Sequence, residues 1–470
     1  KLFKNFNFEK INFILNTRNN VFDFKDVKFT TNNSKFVSEN IKVEKNQKDF
    51  FIEGDVGNQS TILNNELLEL LKINLHNIKF LNTNFNSKSK FSFLIDKKFN
   101  IKNLVLDSDI QINESEYKIP NFFNNHFQIK DNIIKLKNHT IKSNFKNKKL
   151  TINGSGKIKI QESFDDVKYT VDLKDKDFKI NSQLVLSELE FSSKEYLKNF
   201  VTNLGKTTTL KDQKIDINLN KKGLLINGQG KIKFDSDFED IKFKVSKIKN
   251  KFNFDTQVDL DQTSFKIDFL NFIKNEKLNT QIKVLGSYEA ENSLIFENLS
   301  IIDKNNRFIL QNIYLDENNL IKKVDRVNLE FLDNQNIKNK ILLKTVDENK
   351  YQITGSSFNA DKLIDNFLIY KKDNESKIFK NDFQISLNIK EVFLDNLNLI
   401  KDINGNLNIK KNEVYSADIS GDFDNNNNLK FTINTNDVGE KITTLFSTRA
   451  KPLVKRYKFI KGFEDSDEGY

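Results

Sequence analysis

The stretch Leu150–Ile160, LTINGSGKIKI, returns as Leu224–Phe234, LLINGQGKIKF, with 8 of 11 positions identical. The copies lie 74 residues apart, and the same offset pairs Phe164 with Phe238 and Phe178 with Phe252. Upstream, TIKSNFKNKK from Thr140 aligns with KIDINLNKKG from Lys214. Self-similarity of this length implies a unit that stacks on copies of itself. Within the first copy Ile158, Ile160, Val167, Tyr169, Val171 and Leu173 alternate with Lys157, Lys159, Lys168, Thr170 and Asp172. The second repeats the scheme with Ile232, Phe234, Ile241, Phe243 and Val245. Period two over segments of five to eight residues, bounded by Asn, Asp and Ser, predicts an antiparallel sheet that is apolar on one face only.

A looser signature extends the pattern: Gly54, Gly154, Gly228, Gly286, Gly355, Gly405 and Gly421 each follow an Ile or Val two residues earlier. This spacing predicts a strand ending in a turn, where glycine supplies positive φ or a close approach. It does not fit a phosphate-cradling loop, which needs different glycine spacing and a helix opening directly behind. Short helices are expected at DVGEKITTLF, where Asp437 and Glu440 have capping-box spacing, and at ADKLIDNFL, SSKEYLKNFVTNLG and TILNNELLELL. SFKIDFL, one repeat after the third, reads as a strand, so the repeat is not uniform.

The 470 residues exceed the usual limit of one compact core and imply several domains or an array growing along an axis. Lys+Arg 75 against Asp+Glu 65 gives a net charge of +10. The basic residues are spread at alternate strand positions over a chain rich in Lys, Asn, Ile and Phe, so nucleic acid is not the expected partner. The 44 Phe alternate with Lys across the two faces and therefore do not form a base-stacking platform. The absence of Cys excludes disulfides, thiolate metal sites and a cysteine nucleophile. With no Met and a first residue Lys1, the sequence is expected to be a fragment; no apolar run approaches the ~18 residues of a membrane-spanning helix.

Chemistry is sparse. His76, His126 and His139 have no metal-ligand spacing, and no nucleophile elbow or sugar-cleft carboxylate pair occurs. No enzymatic activity and no cofactor is expected. The functional question is what hides the apolar face, since exposed patches beyond a few hundred Å² are rare on soluble proteins. The sheet either folds on itself in closed cores or curls into a trough for an apolar guest.

From about Lys130 onward the chain resembles the AsmA-like superfamily, particularly its YhdP and TamB branches. The carriers are INGSGKIKI and INGQGKIKF, YQITGSSFNADKLIDNFL from Tyr351, and the run from Ile403 through TNDVGEKITTLF. The resemblance implies a mainly β, elongated and curled antiparallel groove with a few short α-helices. It divides the chain into an N-terminal β-rich part (1–129), a repeating groove (130–372) and a stretch leading into a C-terminal region (373–470). It further implies a periplasmic protein of a Gram-negative bacterium, held in the inner membrane by an anchor outside this sequence. Its partner would be phospholipid or another acyl-chain lipid, with other envelope proteins as further partners, moved toward the outer membrane without catalysis. Ile158, Ile160, Val167, Tyr169, Val171, Ile232, Phe234, Ile241, Phe243 and Val245 would then line the groove. The dense Asn and Lys depart from a purely lipid-like surface unless they all lie outside it. The competing readings are a structural or adhesive cell-surface repeat protein with closed apolar cores and, more remotely, a carbohydrate-acting β protein.

Overall fold

A computed structural model of the chain describes residues 8–31, 34–63, 79–118, 129–175, 177–192, 207–234, 237–289, 294–368, 379–395, 397–411, 413–424, 427–436, 439–449 and 453. They fall into two units, Lys1–Ser192 with Lys206–Ile232, and Ser193–Gly205 with Lys233–Tyr470. Each is mainly β and antiparallel, as the alternation predicts.

The first unit is an up-and-down run of strands: β1 Phe8–Arg18, β2 Val21–Thr31, β3 Ser34–Lys45, β4 Asp49–Ile62, β5 Lys79–Asp96, β6 Ile101–Lys118, β7 Ile133–Lys146, β8 Lys149–Lys159, β9 Phe164–Lys174, β10 Asp177–Ser192, β11 Thr207–Asn220 and β12 Gly223–Lys233. From β1 to β11 each strand pairs antiparallel with the next in sequence. Short turns join β1 to β2, β3 to β4, β5 to β6, β7 to β8, β9 to β10 and β11 to β12, so all six tips lie at the same strand ends. At Asn19–Asn20 and Asn147–Lys148 both turn residues hold positive φ, the geometry whose twist matches that of the flanking strands.

Several strands carry a left-handed Asp or Asn in their interior, followed by a buried residue. The pairs are Asp26–Val27, Asn138–His139, Asp212–Gln213, Asn312–Ile313 and Asp402–Ile403, with φ between 49° and 52°; Asn103 precedes the half-buried Leu104. Asp and Asn tolerate this conformation because their short polar side chains bond locally. Register shifts accompany the first two pairs and the last, which identifies them as β-bulges, devices that bend a strand and increase its twist.

The glycines correct one expectation. Gly154 and Gly156 stand inside β8 rather than at its end, and neither has positive φ. Their role is close approach: a β-carbon at Gly154 would collide with the Tyr169 ring, and one at Gly156 with the His139 ring. The turn-supplied freedom that glycine offers is used instead at Gly439 (φ 87°).

The second unit comprises β13 Phe238–Ile248, β14 Lys251–Leu260, β15 Phe265–Ile267, β16 Phe272–Lys274, β17 Thr280–Glu289, β18 Leu294–Ile302, β19 Arg307–Leu315, β20 Ile321–Leu332, β21 Lys338–Asp347, β22 Lys350–Asn359, α1 Asp361–Leu368, β23 Phe383–Phe393, β24 Leu399–Lys410, β25 Glu413–Asp424, β26 Asn427–Thr435 and β27 Lys441–Ser447. Successive sheet strands again pair antiparallel, with one parallel pairing, β22 with β23, after α1. β15 and β16 form a separate two-stranded hairpin across a 3-10 turn, Asp268–Leu270. SFKIDFL is thus strand only for Phe265–Ile267.

Of the expected helices, ADKLIDNFL forms α1. The DVGEKITTLF expectation is overturned: Lys441–Ser447 is strand β27, paired with β26. Asp437 and Val438 lie outside the described residues. Asn436 Oδ1 accepts the Glu440 N–H at 2.8 Å, Asn436 Nδ2 donates to the Glu440 carboxylate, and the β-branched run Ile442-Thr443-Thr444 favours the extended chain. SSKEYLKNFVTNLG beyond Ser192 and TILNNELLELL beyond Leu63 lie outside the described residues, as do His76 and His126.

Candidate functional site: a one-sided apolar face

Directly opposed residues of antiparallel strands share a face. One such chain of partners crosses nine strands of the first unit: Phe24, Ile41, Gly54, Phe91, Leu106, Phe145, Leu150, Leu173 and Phe178. The next row on this face includes Ser89, Ser108 and Ser143 before Ile152 and Val171. Three rows from the first, Ile112 faces His139, and Gly156, Val167, Leu184 and Ile215 succeed one another. The other face carries a polar row in which Lys88, Asp109, Lys142, Asn153, Thr170, Asn181 and Asn218 are consecutive partners, with Phe51 and Leu94 opposed on it near the turns. Lys157 pairs with Asp166 at 2.8 Å and Lys149 with Asp172 at 3.0 Å on this side.

Ile158, Val167, Tyr169 and Val171 share the apolar face and are half-buried, while Ile160 lies just past the end of β8. Ile232 belongs to the first unit and is fully buried. Phe234, Ile241, Phe243 and Val245 belong to the second unit, where Ile241, Phe243 and Val245 share a face with Val258, Thr256 and Phe254. Ile241 is buried and the other three are half-buried.

Coverage differs between the units. In the first, only Val27, Ile129, Leu186, Leu189 and Ile232 are fully buried apolar side chains among the described residues. Its extensive element contacts are all between neighbouring strands. In the second unit the hairpin β15–β16 lies against the strand ends of the apolar face. Phe272, 1 % exposed, packs edge-on to Phe308 and Phe331 with ring centroids 4.7 and 5.8 Å away. Further along, Ile364 of α1 and Leu453 join a core of Ile341, Ile389, Val392, Ile400 and Ile403.

A buried charge holds that hairpin down. Lys274, fully buried, donates from Nζ to the Asp261 and Thr263 carbonyls at 2.8 Å each. The Glu239 carboxylate accepts the backbone N–H groups of the same two residues, at 2.9 Å from Asp261 and 2.5 Å from Thr263. Burial pushes the Lys274 amine below its ordinary value against the opposing pull of Glu239. Burial pushes the Glu239 carboxyl up, but the N–H donors outweigh it and hold it low.

His139 and Gln213 form a pair that sequence reasoning missed. They stand 74 residues apart, each after a left-handed Asn or Asp, each over a glycine, Gly156 or Gly230, that a β-carbon would deny them. His139 Nε2 meets the Lys157 carbonyl at 3.0 Å, and Gln213 Nε2 donates to the Lys231 carbonyl at 2.7 Å. A carbonyl only accepts, so Nε2 carries the imidazole proton and Nδ1 keeps its lone pair. Nδ1 of His139 and Oε1 of Gln213 are buried and unpartnered. Burial pushes the imidazole below its ordinary value, against the hydrogen bond to Lys157. The readable signal was KNH against KDQ at the repeat offset, with the glycine seventeen residues on.

Two open concavities, about 720 and 670 Å³, lie on the polar side of the first unit; the larger is lined by Lys142, Asn153, Lys168, Thr170, Asn181 and Asn218 among others. Among the described residues no cluster of His, Asp and Glu is arranged to hold a metal ion, and no helix is long and apolar enough to cross a membrane. No protein-family model, no curated protein and no solved structure matches the chain.

Proposed function

We propose that the chain is a non-enzymatic lipid conduit whose apolar face seats the acyl chains of a phospholipid or similar amphiphile. The observation that carries this reading is the row from Phe24 to Phe178, over which no other described element of the first unit makes extensive contact. Each seated methylene contributes ~0.8 kcal/mol, so eight along one row contribute about 6 kcal/mol before the cost of ordering the chain. The bulges at Asp26 and Asn138 would bend the strands toward a trough, and lateral continuity would let a chain slide from strand to strand. On the AsmA-like resemblance, the setting is the periplasm, the anchor lies in the inner membrane outside this sequence, and the cargo moves toward the outer membrane.

Replacing the directly opposed Ile152 and Val171 by Asp tests this. Both are half-buried on the apolar face, so the account expects lipid captured from vesicles to fall severalfold while the far-UV circular dichroism stays unchanged. Undiminished capture contradicts it. Loss of strand signal instead favours the second reading, a structural repeat with closed cores, for which the Phe272 plug in the second unit speaks.

A further inference from the structure

The six tight turns of the first unit share one end of the strands, and that rim is basic. Lys48, Lys97, Lys98, Lys148, Lys174 and Lys222 are exposed there and have no carboxylate partner among the described residues. Of the acidic groups at the same rim, Asp177 is engaged by Lys221, and Asp96 by Lys102 at 3.2 Å and by the Asn100 N–H at 2.9 Å. Asp49 and Asp175 are left to offset the six. The connection between β8 and β9 at the opposite end is mixed in sign: it carries Glu162 and runs into Asp165 and Asp166, with Lys159 at 3.8 Å from Glu162 and Lys157 at 2.8 Å from Asp166.

The apolar face reaches to within a residue or two of these lysines. Phe145 faces Leu150 across the turn that holds Lys148, Leu173 faces Phe178 next to Lys174, and Ile95 faces Ile101 beside Lys97 and Lys98. Paired strands lie ~4.8 Å apart, so successive tips recur every ~10 Å. A greasy floor bordered along one side by evenly spaced, unpaired ammonium groups has the complementarity of an amphiphile with an anionic head.

Building on the conduit reading, we propose that the cargo is a two-chain lipid with a net anionic phosphate headgroup, seated with its chains on the apolar face and its head at the lysine-bearing turns. The lysines would hand the headgroup from one tip to the next while the chains remain on the floor. No bond is made or broken.

The test presents the purified chain with vesicles of phosphatidylcholine containing an equal share of phosphatidylglycerol, and quantifies by mass spectrometry the lipid that leaves with the protein. The expected result is phosphatidylglycerol over phosphatidylcholine by about five-fold, the scale of one lysine beside an anionic head, shrinking at ~1 M salt. A variant with Lys97, Lys98, Lys148 and Lys222 changed to Gln is expected to capture both lipids equally. The same charge removed from the polar face, at Lys28, Lys90, Lys142 and Lys168, is expected to leave the preference in place. Equal capture of both lipids by the unaltered chain, or a preference that survives the rim substitutions, overturns the headgroup assignment alone. Vesicles that bind the chain without lipid leaving them overturn it in favour of docking of the rim on an anionic membrane surface. Capture of neither lipid with no vesicle binding overturns the conduit reading as well.

Discussion

Gly156→Ala places a methyl group where the His139 ring lies, and the size of the effect follows from what the ring can do in response. Gly156 is not left-handed, so alanine fits its backbone and the loss of unfolded-state freedom favours alanine by about 0.4–1 kcal/mol. Against this, the ring is pinned by the Nε2 bond to Lys157 and is 2 % exposed, so it cannot swing into solvent. Overpacking a held ring costs about 1–3 kcal/mol, which leaves a net loss of roughly 1–2 kcal/mol. His139→Ala alone loses the hydrogen bond and leaves a void. In the double variant the new methyl enters that void, so the two losses do not add, and a coupling of about 1–2 kcal/mol is expected, the range for residues in contact. Hydrogen exchange on peptides spanning β7 and β8 reads this directly, since ~1.4 kcal/mol is tenfold in protection. Strictly additive losses would refute the seating of the ring on the glycine.

The same histidine predicts a pH dependence. Unfolded His139 takes up a proton near pH ~6.5, whereas the folded imidazole resists, so stability is complete above that pH and declines as the pH falls through and below it. His139→Gln, which installs the residue found at the equivalent repeat position, is expected to flatten that decline in a series of thermal melts; an unchanged slope contradicts the assignment. Lys274→Met removes the buried amine and leaves the Asp261 and Thr263 carbonyls without their donor, with an expected local loss of about 2 kcal/mol. Proteolysis should then cut first at the β15–β16 hairpin, and retained resistance there argues against the clasp. Gly439→Ala forces a left-handed alanine into the turn before β27 and is expected to cost about 1 kcal/mol, seen as faster exchange in β26 and β27 alone.

Much of this was legible in the sequence. Alternation placed Ile158, Val167, Tyr169 and Val171 on one face because side-chain period two is a property of the extended backbone and needs no tertiary information. DKLIDNFL reads as helix for the same local reason. What failed were signals that two structures share. Glu440 reads as the reciprocal residue of a helix cap, yet its N–H is bonded by Asn436, and β-branched residues decided for the strand. Ile-x-Gly reads as a strand end, yet Gly154 is glycine because the Tyr169 ring from the neighbouring strand lies on it, a contact that register creates. The bulges were invisible because Lys-Asp-Val and Lys-Asn-His resemble any alternating strand until φ is known.

The chain contains no cysteine, so a single labelled site can distinguish the two faces. The most direct measurement of the central claim places a polarity-sensitive fluorophore on Val171→Cys, on the apolar face, and on Thr170→Cys, its neighbour on the polar one. Adding lipid vesicles is expected to shift the emission of the label at 171 to the blue and leave that at 170 unmoved. A label at 171 that is already shielded without lipid, or that never responds to it, contradicts an apolar face kept open for a guest.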